Sequence, residues 1–166
     1  MVKLRGVNVW PEGIGAIATS VDGTVPDYVV RALTVDGRDE LIVAVAHNSA
    51  KTPMLDLETR LALASGALKH LANVRVESTK GLLVTFCKER GATAIVKGLR
   101  GGADYDYERP MALMNRSLTG IETVFITGDS ALAHVASSLV RDVARHGGDV
   151  SSYVPDGVAE ALRSVG

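Results

Sequence analysis

Three cations and one hydroxyl-rich segment are the residues whose types and positions could do chemistry. Lys51 follows an apolar run at 41–46, and Lys97 and Arg100 follow a second at 93–96. Thr127-Gly128-Asp129-Ser130 follows a third at 123–126 and leads toward Ser137-Ser138. Each group falls just after a predicted strand, and in an open parallel sheet ligands bind outside the carboxyl ends of the strands. The spacing therefore sets them on one rim. A helix opening at Ser137 would add unpaired backbone N–H groups and the positive end of its dipole. Together they describe a pocket for a polyanion such as a nucleotide triphosphate. Singly, each has an ordinary reading: a solvated loop lysine, a serine N-cap, turn glycines at Gly98, Gly101 and Gly102. Asp104, Asp106 and Glu108 read as a solvated face or first-turn acids. Their joint placement is what distinguishes them.

The elements that must position these residues alternate between two hydrophobic periods. Residues 41–46 (Leu-Ile-Val-Ala-Val-Ala) form a short continuous apolar run, the signature of a strand buried on both faces. After Pro53, Leu57, Leu61, Ala64, Leu68 and Leu71 recur in steps of four and three, one stripe of an amphipathic helix. Asp56 suits its N-cap, Glu58 its first turn, and Lys69 and His70 its last. The alternation continues with a strand at 74–76, a helix at 82–90 ended by Gly91, and a strand at 93–96. A helix at 107–118 is interrupted by Pro110 and followed by Gly120. A strand at 123–126, a helix at 137–145 closed by Gly147-Gly148, and a helix at 156–165 complete the series. This order predicts an α/β fold, a Rossmann-like open parallel sheet with helices on both faces. Before residue 40 the pattern is fainter, with candidate strands at 7–10 and 16–18 and a short helix at 27–33.

Composition bounds the answer. The chain has 166 residues, 18 Lys and Arg against 19 Asp and Glu, and a net charge of −1. That length predicts one domain spanning 1–166. The balanced charge gives no electrostatic footprint for nucleic acid or an anionic membrane. Cys87 is the single cysteine, which excludes an intrachain disulfide and a multi-cysteine zinc site. No apolar run approaches the ~18–20 residues of a spanning helix, and no leader pattern opens the chain. The expectation is a soluble, cytoplasmic protein.

The stretch Lys97-Gly98-Leu99-Arg100-Gly101-Gly102-Ala103-Asp104-Tyr105-Asp106-Tyr107-Glu108, continued by Met111-Ala112-Leu113-Met114-Asn115, resembles bacterial phosphopantetheine adenylyltransferase. So do Asn48-Ser49-Ala50-Lys51-Thr52-Pro53-Met54 and Ser137-Ser138-Leu139-Val140-Arg141-Asp142-Val143-Ala144. The resemblance runs from about residue 40 to the C-terminus. It implies a nucleotidyltransferase fold, a homohexamer, and transfer of the adenylyl group of ATP to 4′-phosphopantetheine with Mg²⁺, giving dephospho-coenzyme A and pyrophosphate. It also implies roles. Lys51 and Arg100 would be catalytic, on the transferring phosphates. Ser20, Lys51, Leu83 and Lys97 would bind phosphopantetheine. Gly98, Leu99, Arg100, Glu108, Leu132, Ala133, His134, Val135, Ala136, Ser137 and Ser138 would bind ATP. No protein metal ligand is expected, because a metal bridging phosphate oxygens needs few of them. The nucleophile is a phosphate oxygen, anionic at neutral pH, so no general base is required. Alignment and charge neutralisation are the whole task.

The first 39 residues depart from this family. It opens with a strand running into Gly-Ser/Thr-Phe-Asp-Pro and then Gly-His, whose histidine steadies the transition state. The nearest match is Thr19-Ser20-Val21-Asp22-Gly23, and no histidine precedes His47. Ala136 stands where the family has the first of three serines, and Pro110 enters a helix that normally lacks it. The alternative reading is therefore a weakened or non-catalytic nucleotide- or coenzyme-A-binding homologue. A relative acting on another phosphate is a third reading, and the Lys97–Arg100 stretch argues against it. A natural variant and a frame-shifted end both fit the divergent segment.

Overall fold

The computed structural model describes residues 2–4, 7–9, 33–35, 38–47 and 53–165. Its strands are β1 (Val2–Leu4), β2 (Val7–Val9), β3 (Leu33–Val35), β4 (Arg38–His47), β5 (Val74–Lys80), β6 (Ala94–Leu99) and β7 (Glu122–Thr127). Its helices are α1 (Leu57–Leu68), α2 (Leu83–Glu89), α3 (Gly102–Thr119), α4 (Ser137–Arg145) and α5 (Val158–Val165), with a 3₁₀ turn at Ser130–Leu132.

Two parallel pairs form the centre. β4 and β5 flank α1, with Leu41 opposite Val74 and His47 opposite Lys80. β6 and β7 flank α3, with Ala94 opposite Glu122 and Leu99 opposite Thr127. The period of two then decides which helix each side chain meets. Leu41 and Val43 pack with Ala64 and Leu68 of α1 and with Val96 of β6. Ile42 and Ala44 pack with Val84, Phe86 and Cys87 of α2 and with Ile95 of β6. β4 is thus covered on both faces, as its unbroken apolar run requires. Ile95 and Val96 carry the core from one strand pair to the other. The fold is α/β and Rossmann-like, with helices on both faces. A third cluster sits under the C-terminal helices, where Leu55, Val135, Val140, Ala144, Val158 and Leu162 are buried together.

Local signals explain most boundaries. Asp56 caps α1 by accepting the Thr59 N–H at 2.7 Å, and those hydrogen bonds hold its carboxyl below the usual range. α1 stops at Leu68 with Lys69 as C-cap, so Leu71 packs from beyond the helix. α3 ends at Gly120, whose N–H donates to the Arg116 carbonyl at 2.7 Å and whose φ of 75° then turns the chain out of the helix.

Several expectations are corrected. α3 begins at Gly102, not at residue 107, and runs through Pro110. The ring removes one helical hydrogen bond, from the carbonyl of Asp106, and that residue is exposed to solvent. The N-cap of α4 is Ala136 rather than a serine, and no side chain caps it. Of the helix expected at 27–33 only Leu33 is described, and it opens β3. The candidate strand at 7–10 is present as β2, with Trp10 outside the described residues. The one at 16–18 lies outside them altogether. Parallel order is also not universal, since β1–β2 and β3–β4 pair antiparallel.

Candidate active site

β6 alternates its side chains so that Lys97 shares the α2 side of the sheet with Ile95. Its Nζ lies 3.3 Å from Glu108 Oε2 of α3, and the two side chains are 3% and 6% exposed. A lysine so buried requires a carboxylate beside it, because removing an ammonium from water costs several kcal/mol, on the order of the attraction that offsets it. Cys87 adjoins this pair. Burial pushes its thiol up to about 11, with the Lys97 charge pulling the other way.

Arg100 follows the end of β6. Its Nε and Nη2 donate to Asp104 Oδ2 and Oδ1, both at 3.0 Å, and its backbone N–H donates to Oδ2 at 2.9 Å. Nη1 donates to the Val135 carbonyl at 3.5 Å. Partial burial raises the Asp104 carboxyl, but the Arg100 hydrogen bonds and charge outweigh it and hold the group below its ordinary value. Asp104 and Glu108 are four residues apart, so one face of α3 presents both acids, each to a cation at the end of β6. Asp106, between them, is exposed. Tyr105 fastens the start of α3 by an edge contact with Phe125 of β7, centroids 5.3 Å apart.

The loop after β7 closes the same rim. Gly128 donates to the Leu99 carbonyl at 2.9 Å, tying the ends of β6 and β7 together. Asp129 Oδ1 accepts the Ala131 N–H at 2.8 Å and starts the 3₁₀ turn. Leu132, Ala133 and His134 are exposed, with His134 edge-on to Tyr153 at 5.7 Å. Val135 is buried, which anchors the carbonyl that Arg100 reaches. Ala136 and Ser137 are half-buried and Ser138 exposed at the start of α4, whose first N–H groups no side chain satisfies.

The structure thus brings Lys97, Gly98, Leu99, Arg100 and Glu108 to one region and joins it to residues 132–138 through Arg100. Leu83 is half-buried at the first turn of α2, against the cluster holding Ile95 on the side of β6 that Lys97 shares. Ser20 and Lys51 lie outside the described residues, as does the segment where the Gly-His pair would fall. The sequence reading groups Asp104, Asp106 and Glu108, whereas the helix pairs Asp104 and Glu108 with cations and leaves Asp106 exposed. It does not reach Arg60. Arg60 of α1, 2% exposed, donates from Nη1 to the Ala46 carbonyl at 3.3 Å, near the end of β4. Among the described residues, no group of three or more His, Cys, Asp or Glu side chains is placed to hold a metal ion.

Comparison with known proteins decides the family. The profile of the cytidylyltransferase-like family matches residues 28–143. A phosphopantetheine adenylyltransferase of Bifidobacterium longum is 52% identical over 126 residues, 75% of this chain and 76% of that one. One from Nocardioides is 49% identical over 138 residues, 83% of this chain and 86% of that one. The chain belongs to the phosphopantetheine adenylyltransferases. A Clavibacter michiganensis adenylyltransferase gives the same picture, 52% identical over 128 residues. Identity at this level favours an adenylyltransferase over a non-catalytic binder. It also agrees with Arg100, a phosphate-binding residue type, held just past the end of β6.

Proposed function

We propose that this chain transfers the adenylyl group of ATP to 4′-phosphopantetheine, giving dephospho-coenzyme A and pyrophosphate. The observation that carries this reading is the placement of Lys97 and Arg100 against Glu108 and Asp104 of one helix face. Arg100 joins that face to the loop before α4. A phosphate oxygen of phosphopantetheine attacks the α-phosphorus of ATP in line. The bond from that phosphorus to the bridging oxygen breaks, and pyrophosphate leaves with the electron pair. No proton need move to a side chain. Arg100 takes ATP phosphate oxygens, and the N–H groups at Ser137 and Ser138 take others. Lys97, buried against Glu108, is assigned to the phosphopantetheine phosphate by family resemblance alone. Lys51 is assigned to the transferring phosphates and Ser20 and Leu83 to phosphopantetheine by family resemblance alone. The same resemblance assigns Gly98, Leu99, Glu108 and residues 132–136 to ATP.

Mg²⁺ belongs to this proposal. Asp104 and Glu108 are taken by Arg100 and Lys97, so the donor set suits an ion held by phosphate oxygens and water rather than by a carboxylate cage. When bound, it neutralises phosphate charge. A homohexamer and a cytoplasmic location are proposed on family grounds. Exposed Tyr107, Met114 and Leu118, seven and four residues apart on one side of α3, supply an apolar stripe suited to a subunit contact. No helix of the described residues is long and apolar enough to cross a membrane.

Pyrophosphate release tests the reading. It should require ATP and phosphopantetheine together and stop when either is omitted. Saturable ATP binding without release would replace the enzyme with a binder.

A further inference from the structure

We propose that Asp104 is a positioning residue that aims Arg100 at ATP, a role that rests on the activity proposed above. A guanidinium carries five N–H donors in a fixed plane. Asp104 takes the side edge, Nε and Nη2, through both carboxylate oxygens, and takes the Arg100 backbone N–H as well. The Val135 carbonyl takes one N–H of Nη1. One N–H on each of Nη1 and Nη2 is left by these contacts, enough for a two-pronged grip on a phosphate. The fork is thereby fixed from two directions. One holder belongs to α3, and the other is anchored in the core beneath α4 and α5, where Val135 packs with Val140 and Leu162. Without Asp104, Arg100 keeps its charge but loses the restraint on its plane, and it must order its side chain each time ATP binds. A fixed donor geometry matters most where charge is redistributed in the transition state.

The acid also lowers the positive charge of the rim, so two opposite outcomes are open to experiment. If Asp104 only screens Arg100, its removal tightens ATP binding. If it positions Arg100, removal weakens it. The test is steady-state pyrophosphate release by Asp104→Ala, Asp104→Asn and Asp104→Glu, with each substrate varied in turn. In Asp104→Ala, kcat/KM for ATP should fall about ten- to a hundredfold, the usual consequence of a misplaced contact, while KM for phosphopantetheine stays within about twofold. Asp104→Glu should recover more than half of the loss. In an Arg100→Ala background, Asp104→Ala should add almost nothing, because the two residues act as a unit. An unchanged or higher kcat/KM for ATP in both Asp104→Ala and Asp104→Asn would overturn the proposal. So would an equal further loss in the Arg100→Ala background. If the unaltered chain releases no pyrophosphate, the activity reading fails by itself. Calorimetric ATP titration of the same variants then decides the role of Asp104, with tighter or unchanged binding as the refuting result.

Discussion

Lys97 of β6 and Glu108 of α3 meet at 3.3 Å with almost no solvent on either side chain. Each offsets the cost of burying the other, and the pair pins α3 to the strand whose end carries Arg100. Losing one partner leaves the other's buried charge without its counter-ion at 3.3 Å. Glu108→Gln and Lys97→Met should each lower unfolding stability by about 3–5 kcal/mol, and the double variant should regain much of that. Urea unfolding at neutral pH measures all three. Single losses below about 1 kcal/mol, the range of exposed ion pairs, would mean the two charges do not depend on each other.

Arg100 is expected to matter for turnover more than for folding. Its contacts are to Asp104 at the surface and to one backbone carbonyl. Arg100→Ala should lower kcat/KM for ATP by about 10²–10³, the scale for losing one aimed donor to a developing charge. Arg100→Lys should not restore it, since an ammonium cannot hold Asp104 and phosphate in one plane. Pyrophosphate release gives the rates, and thermal unfolding checks that both variants remain folded. A kcat/KM within threefold of the parent in Arg100→Ala would remove Arg100 from the reaction.

The fold was largely legible because its central strands are buried on both faces, which leaves an unambiguous pattern. The run at 41–46 allows no polar side, and β4 has none between Leu41 and Ala44. α3 was read five residues short because its first turns are polar, with Gly102, Asp104 and Asp106 preceding the apolar stripe. Pro110 made a continuous helix harder to see. At the site, Arg100 was legible from its position after a strand. Lys97, expected just after residue 96, lies inside β6 with its side chain buried, and Lys51 lies outside the described residues. The paired acids were not legible, since pairing Lys97 with Glu108 requires the height at which α3 crosses β6. Periodicity carries no information on that. The carbonyl of Val135 was invisible for another reason, as any residue type offers one.

Acid should release Arg100 only below the ordinary range of an aspartate. The Asp104 carboxyl lies below its ordinary value of 3.8 in the folded chain. Its pairing therefore contributes stability that is present above that value and is lost as pH falls through the folded pKa. Carbon-13 titration of the Asp104 carboxyl should give a midpoint below 3.8, and Arg100→Ala should raise it, since burial, the largest cause, then acts against the backbone hydrogen bond alone. A midpoint at or above the ordinary value in the unaltered chain would mean that burial outweighs the arginine, contrary to the geometry.

Cys87 offers a direct reading of core integrity. It has no exposed area, and burial pushes its thiol up to about 11. Reaction needs the thiolate, so the native protein at pH 8 should react with an aromatic disulfide reagent far more slowly than the unfolded chain. The raised value also fixes a sign. The protonated thiol favours the folded state fully below the unfolded pKa, and that contribution is lost as pH rises toward about 11. Native and urea-unfolded rates that differ by less than tenfold would contradict the burial of Cys87 beside Ile95.

The C-terminal core should control the site from a distance. Leu162 of α5 is fully buried in the cluster that holds Val135, and the Val135 carbonyl is one of the two holders of Arg100. Leu162→Ala should cost about 2–5 kcal/mol of stability through the cavity it leaves. The loop before α4 then loses the packing that fixes the carbonyl, so KM for ATP should rise while KM for phosphopantetheine does not. Leu162→Met, close in volume, should cost under about 1.5 kcal/mol and leave both constants near the parent values. Unfolding curves and substrate kinetics at a temperature where every variant is folded separate the two effects. A destabilised Leu162→Ala with unchanged KM for ATP would confine the cluster to stability and leave Asp104 as the sole restraint on Arg100.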